Sequence, residues 1–429
     1  MRSRRFITGA GKVAVYVRIA AGVALRYARR ARELHWSASD YVRFLRRALR
    51  LLLVFRHNKV VRTRDGYKLH LYLPAYPAPA FFHALDSKLV RRPPGPTTVV
   101  FSMTKACRYR CVHCYQRTDR GADLDQTLMI RTARAMQDAG VAMFDIEGGE
   151  PLARFARLMD LIRALDARAE IWVNTTGDGL TDAMLEELKG ARLFGVMISV
   201  HSTQRETHDR MTGVDGAFDA AVRALRLFKR HGLVTAVNSV LSEQELRDGG
   251  LDRLMEFSKN LECDFVQLIH PKPAGRWLAR RAEMQTDPAV IGRIRTEHVR
   301  YNSRALHNYP SLAAQVFEES ESVLGCTAGA VDRFYLNAHG EVQPCEFLNV
   351  SFGNVTEEPF EAILARMRDA FREPCCDWLC GTQCDAIRSL AEQHGLADMP
   401  LRWPQTRELI AGWNRGPATP IYARLGIYR

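Results

Sequence analysis

Nine of the ten cysteines in this chain fall into two groups, and their spacing is the first sign of chemistry. Cys107, Cys111 and Cys114 share one short loop. Cys326, Cys345, Cys375, Cys376, Cys380 and Cys384 form a second group far downstream, and Cys263 stands alone. Three thiolates at spacings x3 and x2 can hold three irons of a cubane [4Fe–4S] cluster, leaving the fourth iron without a local protein ligand. A small molecule could bind there. A zinc site is the alternative, but closed zinc sites take four ligands, and His113, between two ligands in a tight turn, is poorly placed to be the fourth. Ten cysteines in 429 residues are too sparse for a disulfide scaffold, so both groups read as metal ligands in a reducing compartment.

The elements around the first group alternate between strand and helix. Strands are expected at Thr98–Met103, 141–146, 170–174, 194–200, 233–240 and 264–269. Helices are expected at 125–140, with Asp125 as cap and Gly140 as stop, and at 155–166, 181–190, 216–231 and 243–260. Six strand–helix repeats imply a parallel sheet with right-handed crossovers, an α/β partial (β/α)6 TIM-like barrel. Ligands in such folds gather at the C-terminal ends of the strands, where the first cysteine loop falls.

Cys107-x3-Cys111-x2-Cys114 after the first strand resembles the radical SAM superfamily, although His113 stands where the family usually has an aromatic residue. The second strand ends in Glu147-Gly148-Gly149-Glu150-Pro151, similar to the family's GGEP motif, which receives the methionine amino group. Two glycines let backbone approach a ligand, and a carboxylate accepts hydrogen bonds from an ammonium. The resemblance implies ribose and carboxylate contacts from Asn174 and Ser199 and a salt bridge from Arg210 to the S-adenosylmethionine (SAM) carboxylate; His201 stands where many relatives have Asp. It also implies the chemistry: a reduced cluster splits the sulfur–C5′ bond of SAM, and the resulting radical removes hydrogen from an unactivated C–H bond. Asp145 and Glu147 are candidate acid or base groups. Cys263 reads as a small buried apolar residue.

The downstream group resembles SPASM and Twitch extensions: Cys326 and Cys345 bracket a strand–turn–strand pattern over 334–342 with Gly340, and Gly353-Asn354-Val355 follows. Six cysteines are too few for two clusters, so one auxiliary [4Fe–4S] cluster is expected. Its ligands would be Cys326, Cys345 and Cys384, with Cys380 or one of Cys375 and Cys376 as the fourth. A zinc knuckle is the alternative.

Charge is concentrated at one end. Residues 1–64 carry 17 Lys/Arg against Glu33 and Asp40, a balance of +15, while the remainder sums to −2. Two helices are expected over 10–56, the second capped by Ser37 or Ser39 and carrying Arg43, Arg46, Arg47 and Arg50 as one stripe opposite Val42, Leu45, Leu49, Leu52 and Leu53. Such a helix can lie in a bilayer interface or pack on the protein. Ser3-Arg4-Arg5-Phe6 is faintly similar to a twin-arginine export signal, but charge inside the following apolar stretch argues against export. No stretch reaches the roughly 18–20 apolar residues of a membrane span. A hairpin is expected over 59–73 with Asp65-Gly66 as its turn, and Pro93–Pro96 marks a boundary.

The expected organisation is a basic N-terminal module (1–95), a radical SAM core barrel (96–320), an auxiliary-cluster domain (321–390) and a tail (391–429) with a short helix near Gln405–Trp413. The expected activity is hydrogen abstraction from a peptide or a membrane lipid, with a flavodoxin- or ferredoxin-type reductant as partner. A cytoplasmic location, peripheral on the inner membrane face, is favoured over nucleic-acid binding. The alternative is a non-catalytic iron–sulfur or zinc protein serving as scaffold or electron carrier.

Overall fold

Short β-branched runs alternating with amphipathic helices build a nine-stranded sheet. The computed structural model describes residues 5–119, 121–278, 287–395 and 399–428; Ser3 and Arg4 of the export-like signal lie outside them. An N-terminal three-stranded sheet comprises β1 (Phe6–Ile7), β2 (Val60–Thr63) and β3 (Gly66–Lys68). The large sheet contains β4 (Thr98–Ser102), β5 (Met143–Glu147), β6 (Glu170–Thr175), β7 (Gly195–Ser199), β8 (Val234–Val240), β9 (Phe265–Ile269), β10 (Ser311–Ala314), β11 (Arg333–Leu336) and β12 (Val342–Gln343). Its order is β10-β9-β8-β7-β6-β5-β4-β11-β12, and all neighbours are parallel except β11 and β12. β10 and β12 are its edges, so the barrel is partial. Buried strands such as β5 are covered on both faces, as parallel sheets require.

The six expected strands are present as β4–β9. β10, reached through a helix at Pro288–Tyr301, adds a seventh parallel strand that the sequence reading did not contain. The helix expected over 243–260 is two helices, Glu243–Arg247 and Gly250–Asn260, broken where Gly249 takes φ +78°. A further helix, Arg205–Thr212, follows β7. Asp125 caps the helix Gln126–Asp138 as expected, accepting from the N–H of Leu128 at 3.0 Å.

Two helices, α1 (Gly9–Arg30) and α2 (Ala38–Leu53), meet through Tyr27 and Phe44, whose rings lie 4.1 Å apart. Ser37 and Asp40 form a reciprocal cap at the start of α2. α1 buries Val15, Ile19, Val23 and Tyr27, and α2 buries Phe44, Ala48, Leu51 and Leu52. Of the apolar positions read as one face of α2, only Leu52 is fully buried; Val42, Leu49 and Leu53 point outward. Arg47 and Arg50 donate to the carbonyls of Gly426 and Arg424, so part of the arginine stripe clasps the C-terminal segment.

The hairpin turns at Asp65-Gly66 but ends at Lys68, because the residues beyond it enter the barrel. Leu71 and Ala75, with Phe6 and Val61, pack on Met143, Trp172, Val234 and Phe265 near the N-terminal ends of the strands. This is a plug. Lys68 and Glu170, both buried, form an ion pair inside it; Glu170 also accepts from the N–H of Ala75 at 2.7 Å and from the indole N–H of Trp172 at 2.8 Å.

Candidate active site at the C-terminal end of the sheet

The loop after β4 is held from several sides. Asp123 accepts from the Lys105 N–H at 2.8 Å and from the Thr104 hydroxyl. The N–H groups of Arg110 and Val112 donate to the carbonyls of Thr212 and Met211, at 2.9 and 3.0 Å, at the end of the helix Arg205–Thr212. Arg108 and Asp178 pair at 2.7 Å. So fixed, Cys107, Cys111 and Cys114 line one cavity of about 1540 Å³, partly continuous with solvent. Burial pushes the Cys107 thiol up to about 11 and the Cys111 thiol up to about 12. Unligated, these thiols are protonated at neutral pH, and metal binding would displace the protons.

The glycine turn after β5 packs directly against this loop. A Cβ at Gly148 would meet the Thr104 carbonyl oxygen at 2.3 Å, and one at Gly149 the Ala106 carbonyl oxygen at 2.4 Å. Only glycine fits there. Gly148, Gly149, Asn174 and Ser199 all line the cavity. The neighbouring Glu150 and Pro151 are buried below the turn.

Across the cavity, Asp145 Oδ1, Asn174 Oδ1 and Asn238 Oδ1 are buried without hydrogen-bond partners. Burial raises Asp145 to about 7 and Glu147 to about 8. Glu147 accepts from the Gln116 amide at 2.9 Å and from the Tyr115 hydroxyl, joining β5 to the residues just after Cys114. His113, His201 and His208 pack ring to ring, with centroids 4.2 Å apart for the first pair and 5.8 Å for the second. Burial lowers His113 and His208 to about 4, leaving neutral imidazoles.

The second cysteine group divides. Cys326, Cys345 and Cys380 are buried or half-buried, and Cys326 and Cys345 each interact electrostatically with Cys380. Cys384 lies buried one turn beyond Cys380. Cys375 and Cys376 lie on a strip paired with the C-terminal segment, where Cys376 N–H donates to Pro417 and Thr419 N–H to Pro374; the strip also borders Cys326, whose N–H donates to the Cys375 carbonyl at 3.0 Å. Buried cations attend Cys345 and Cys380: Arg333 Nη2 is 3.9 Å from Cys345 Sγ, and Lys272, 3.2 Å above the Trp378 ring, interacts with Cys380 and Cys345. Among the described residues, no three His, Cys, Asp or Glu side chains converge on one point as a single metal ion would need.

A family profile for the radical SAM superfamily matches residues 101–248, and one for an iron–sulfur cluster-binding (SPASM) domain matches residues 326–385. The chain carries a radical SAM domain followed by a SPASM iron–sulfur extension. It is similar to an Fe-coproporphyrin III synthase of Methanosarcina barkeri, 27% identical over 63% of this chain and 74% of that one. It is also similar to an AdoMet-dependent heme synthase of the same organism, 23% identical over 63% and 82%. Among solved structures, SuiB of Streptococcus suis bound to its precursor peptide superposes with a TM-score of 0.51 at 18% identity. That match covers 63% of this chain and 64% of SuiB, less than two thirds of its length. The AdoMet-bound anSMEcpe superposes at 0.50 with 15% identity, over 78% of this chain and 96% of that one.

As a radical SAM enzyme with a SPASM extension, the protein uses a [4Fe–4S] cluster, SAM and an auxiliary cluster. The residues fit these groups: three thiols share one wall of the cavity, backbone is exposed at the glycine turn, and unpartnered polar atoms face them. Two expected contacts are placed differently. Arg210 is exposed, with its guanidinium on the Thr207 hydroxyl at 3.2 Å, while His208 of the same helix lines the cavity. Positions two apart on a helix point about 200° apart, so both cannot face inward. Glu150 already accepts from four donors on Leu152, Thr175 and Thr176, and so braces the ends of β5 and β6.

Sequence reasoning missed the loop after β9. Lys272 and Trp277 from this loop line the cavity, and Gly275, at φ +53°, lies against the Tyr115 backbone, where a Cβ would come within 2.3 Å. Glycine and two prolines after a strand's C-terminal end were the available signal.

Proposed function

We propose that this radical SAM enzyme abstracts hydrogen from an unactivated C–H bond in the alkyl chain of a membrane lipid. In this reading Cys107, Cys111 and Cys114 hold the catalytic cluster. SAM lies against Gly148, Gly149, Asn174 and Ser199. Cys326, Cys345, Cys380 and Cys384 hold the auxiliary cluster. When bound, cluster and SAM supply the one-electron cleavage that makes a hydrogen-abstracting species. The chain's own residues position it and keep water and other hydrogen donors away, and a flavodoxin- or ferredoxin-type protein supplies the electron.

One observation supports the lipid part. Of the eight large apolar side chains exposed among the described residues, six lie on α1 and α2: Val13, Val17, Leu25, Val42, Leu49 and Leu53. They are interleaved with the arginines of a segment whose balance is +15. No described helix is long and apolar enough to cross a membrane, which suits a surface mode. Apolar residues entering the interface, with arginines at anionic headgroups, are what a bilayer surface recognises.

A peptide substrate is the second reading, supported by the peptide-bound SuiB relative. Comparative lipid and peptide profiling of cells with and without the protein separates the two. The expected result is a changed lipid species. A changed peptide with an unaltered lipid profile would overturn the lipid reading.

A further inference from the structure

The partial barrel is open along a seam between β10 and the start of β11, where Arg333 and Phe334 precede the two residues paired with β12. A second chamber lies there, with about 970 Å³ of space between its lining atoms, part of it open to solvent. Ala313 and Gln315 form its β10 side, and Arg333 its β11 side. The N-terminal module supplies a further wall, including Leu51 and Phe55 at the end of α2 and Leu85 beyond the hairpin. Tyr72, Ile269, Glu346 and Phe347 line both this chamber and the catalytic cavity, so the two adjoin.

The charged groups of the chamber are committed to one another. His70 pairs with Glu318 at 3.0 Å, Lys88 with Asp332 at 2.9 Å, and Arg333 with Glu319 at 3.1 Å. Paired ions offer a ligand little; between them lie Leu51, Phe55, Leu73, Leu85, Ile269 and Phe347, with Thr98, Gln267, Gln315 and Tyr72 as polar neighbours. α2 carries Leu51 on this wall and exposes Leu49 and Leu53 on its outer side. Roughly one helix diameter, about 10–12 Å, therefore separates the chamber from the exposed apolar face.

We infer that the seam chamber binds the alkyl chain of an amphiphile, which reaches the catalytic cavity past Tyr72 and Phe347. This rests on the lipid reading above and deepens it: the substrate class is a long unbranched or prenyl chain with an anionic head. The head stays among the arginines of the N-terminal helices while the chain threads the seam. Ordinary apolar burial drives the entry.

The test uses the full-length, cluster-loaded enzyme and 11-(dansylamino)undecanoic acid as a fluorescent chain. Saturable, blue-shifted binding competed by palmitate is expected. Ala313→Trp and Ala84→Leu, which narrow the chamber from opposite walls, should each weaken it tenfold or more; Val42→Asp, on the outer face, should not. Absence of saturable binding, or unchanged affinity in both narrowed variants, would overturn the proposal. A diazirine-bearing palmitate photolysed on the unmodified enzyme needs no variant at all. Label on peptides containing Leu51, Phe55 or Leu85 supports the chamber, whereas label confined to α1 refutes it. If lipid profiling still shows a lipid product while both probes fail, the chamber alone falls. If profiling shows a peptide product instead, the lipid reading falls.

Discussion

Glu150 and Thr176 are joined twice: the Thr176 N–H donates to Glu150 Oε2 at 2.8 Å and the Thr176 hydroxyl donates to the same oxygen at 2.6 Å. The other carboxylate oxygen takes the Leu152 N–H at 3.0 Å and the Thr175 hydroxyl. The carboxylate is acting as a clamp between the glycine turn and the end of β6. Glu150→Gln replaces one acceptor oxygen with an NH2 group facing two donors. A loss of about 1–3 kcal/mol of stability is expected from the unpaired groups. Equilibrium dialysis should show weakened SAM binding with iron content retained; unaltered SAM binding would count against the clamp.

The two cysteine groups should behave independently. Cys111→Ala is expected to remove roughly half of the bound iron and all formation of 5′-deoxyadenosine. Cys345→Ser should also remove roughly half of the iron while leaving SAM cleavage detectable. Cys375→Ser should change neither, because only its backbone meets Cys326 and Ala418 while its thiol lies on the Glu373 carbonyl. Iron analysis beside product chromatography reads all three.

The plug can be tested by its buried ion pair. Lys68→Met leaves the buried Glu170 without its counter-charge, which costs about 3–5 kcal/mol. The double variant Lys68→Met/Glu170→Leu should recover part of that loss, since it removes the orphaned charge but leaves the Ala75 and Trp172 N–H groups without their acceptor. Urea unfolding of the metal-free protein measures both.

Two carboxyls predict a pH dependence. Burial raises Asp145 from 3.8 to about 7 and Glu147 from 4.5 to about 8. Between roughly pH 4 and pH 8 the folded protein therefore holds protons that the unfolded chain has released. Stability contributed by these groups is intact below their unfolded values and is lost as pH climbs through the folded ones. Asp145→Asn should flatten the fall of unfolding free energy between pH 5 and 7, by an amount on the order of a few kcal/mol. An unchanged slope would exclude Asp145 as its source.

Surface attachment should depend on the outward residues of α1 and α2 rather than on the helices as a whole. Deleting residues 1–56 would also remove Phe44 and Leu51 from the core, so substitutions are the cleaner instrument. Val13→Asp with Val17→Asp and Leu25→Glu should reduce sedimentation with phosphatidylglycerol vesicles severalfold and leave SAM cleavage unaffected.

The core from β4 to β9 was readable in the sequence because buried parallel strands are continuous apolar runs punctuated by capped helices. The cysteine loop and Gly148-Gly149 were readable because their chemistry depends on spacing within a few residues. What was not readable depends on three-dimensional neighbours. Ser311–Ala314 is too short and mild to announce β10. The resemblance alone puts Arg210 at the SAM carboxylate; on the helix Arg205–Thr212 it is His208 that lines the cavity while Arg210 is exposed. Both sides of α2 are apolar enough to bury, and periodicity alone could not say that Leu51 goes in while Leu49 and Leu53 stay out. Lys272 and Trp277 sit in an irregular loop, where no pattern points.

The plug is bolted to the N-terminal ends of the strands, whereas the three thiols stand at their C-terminal ends. A strand such as β5 has five residues, about 16 Å of rigid length. That span separates the plug from the thiols like the two ends of a strut.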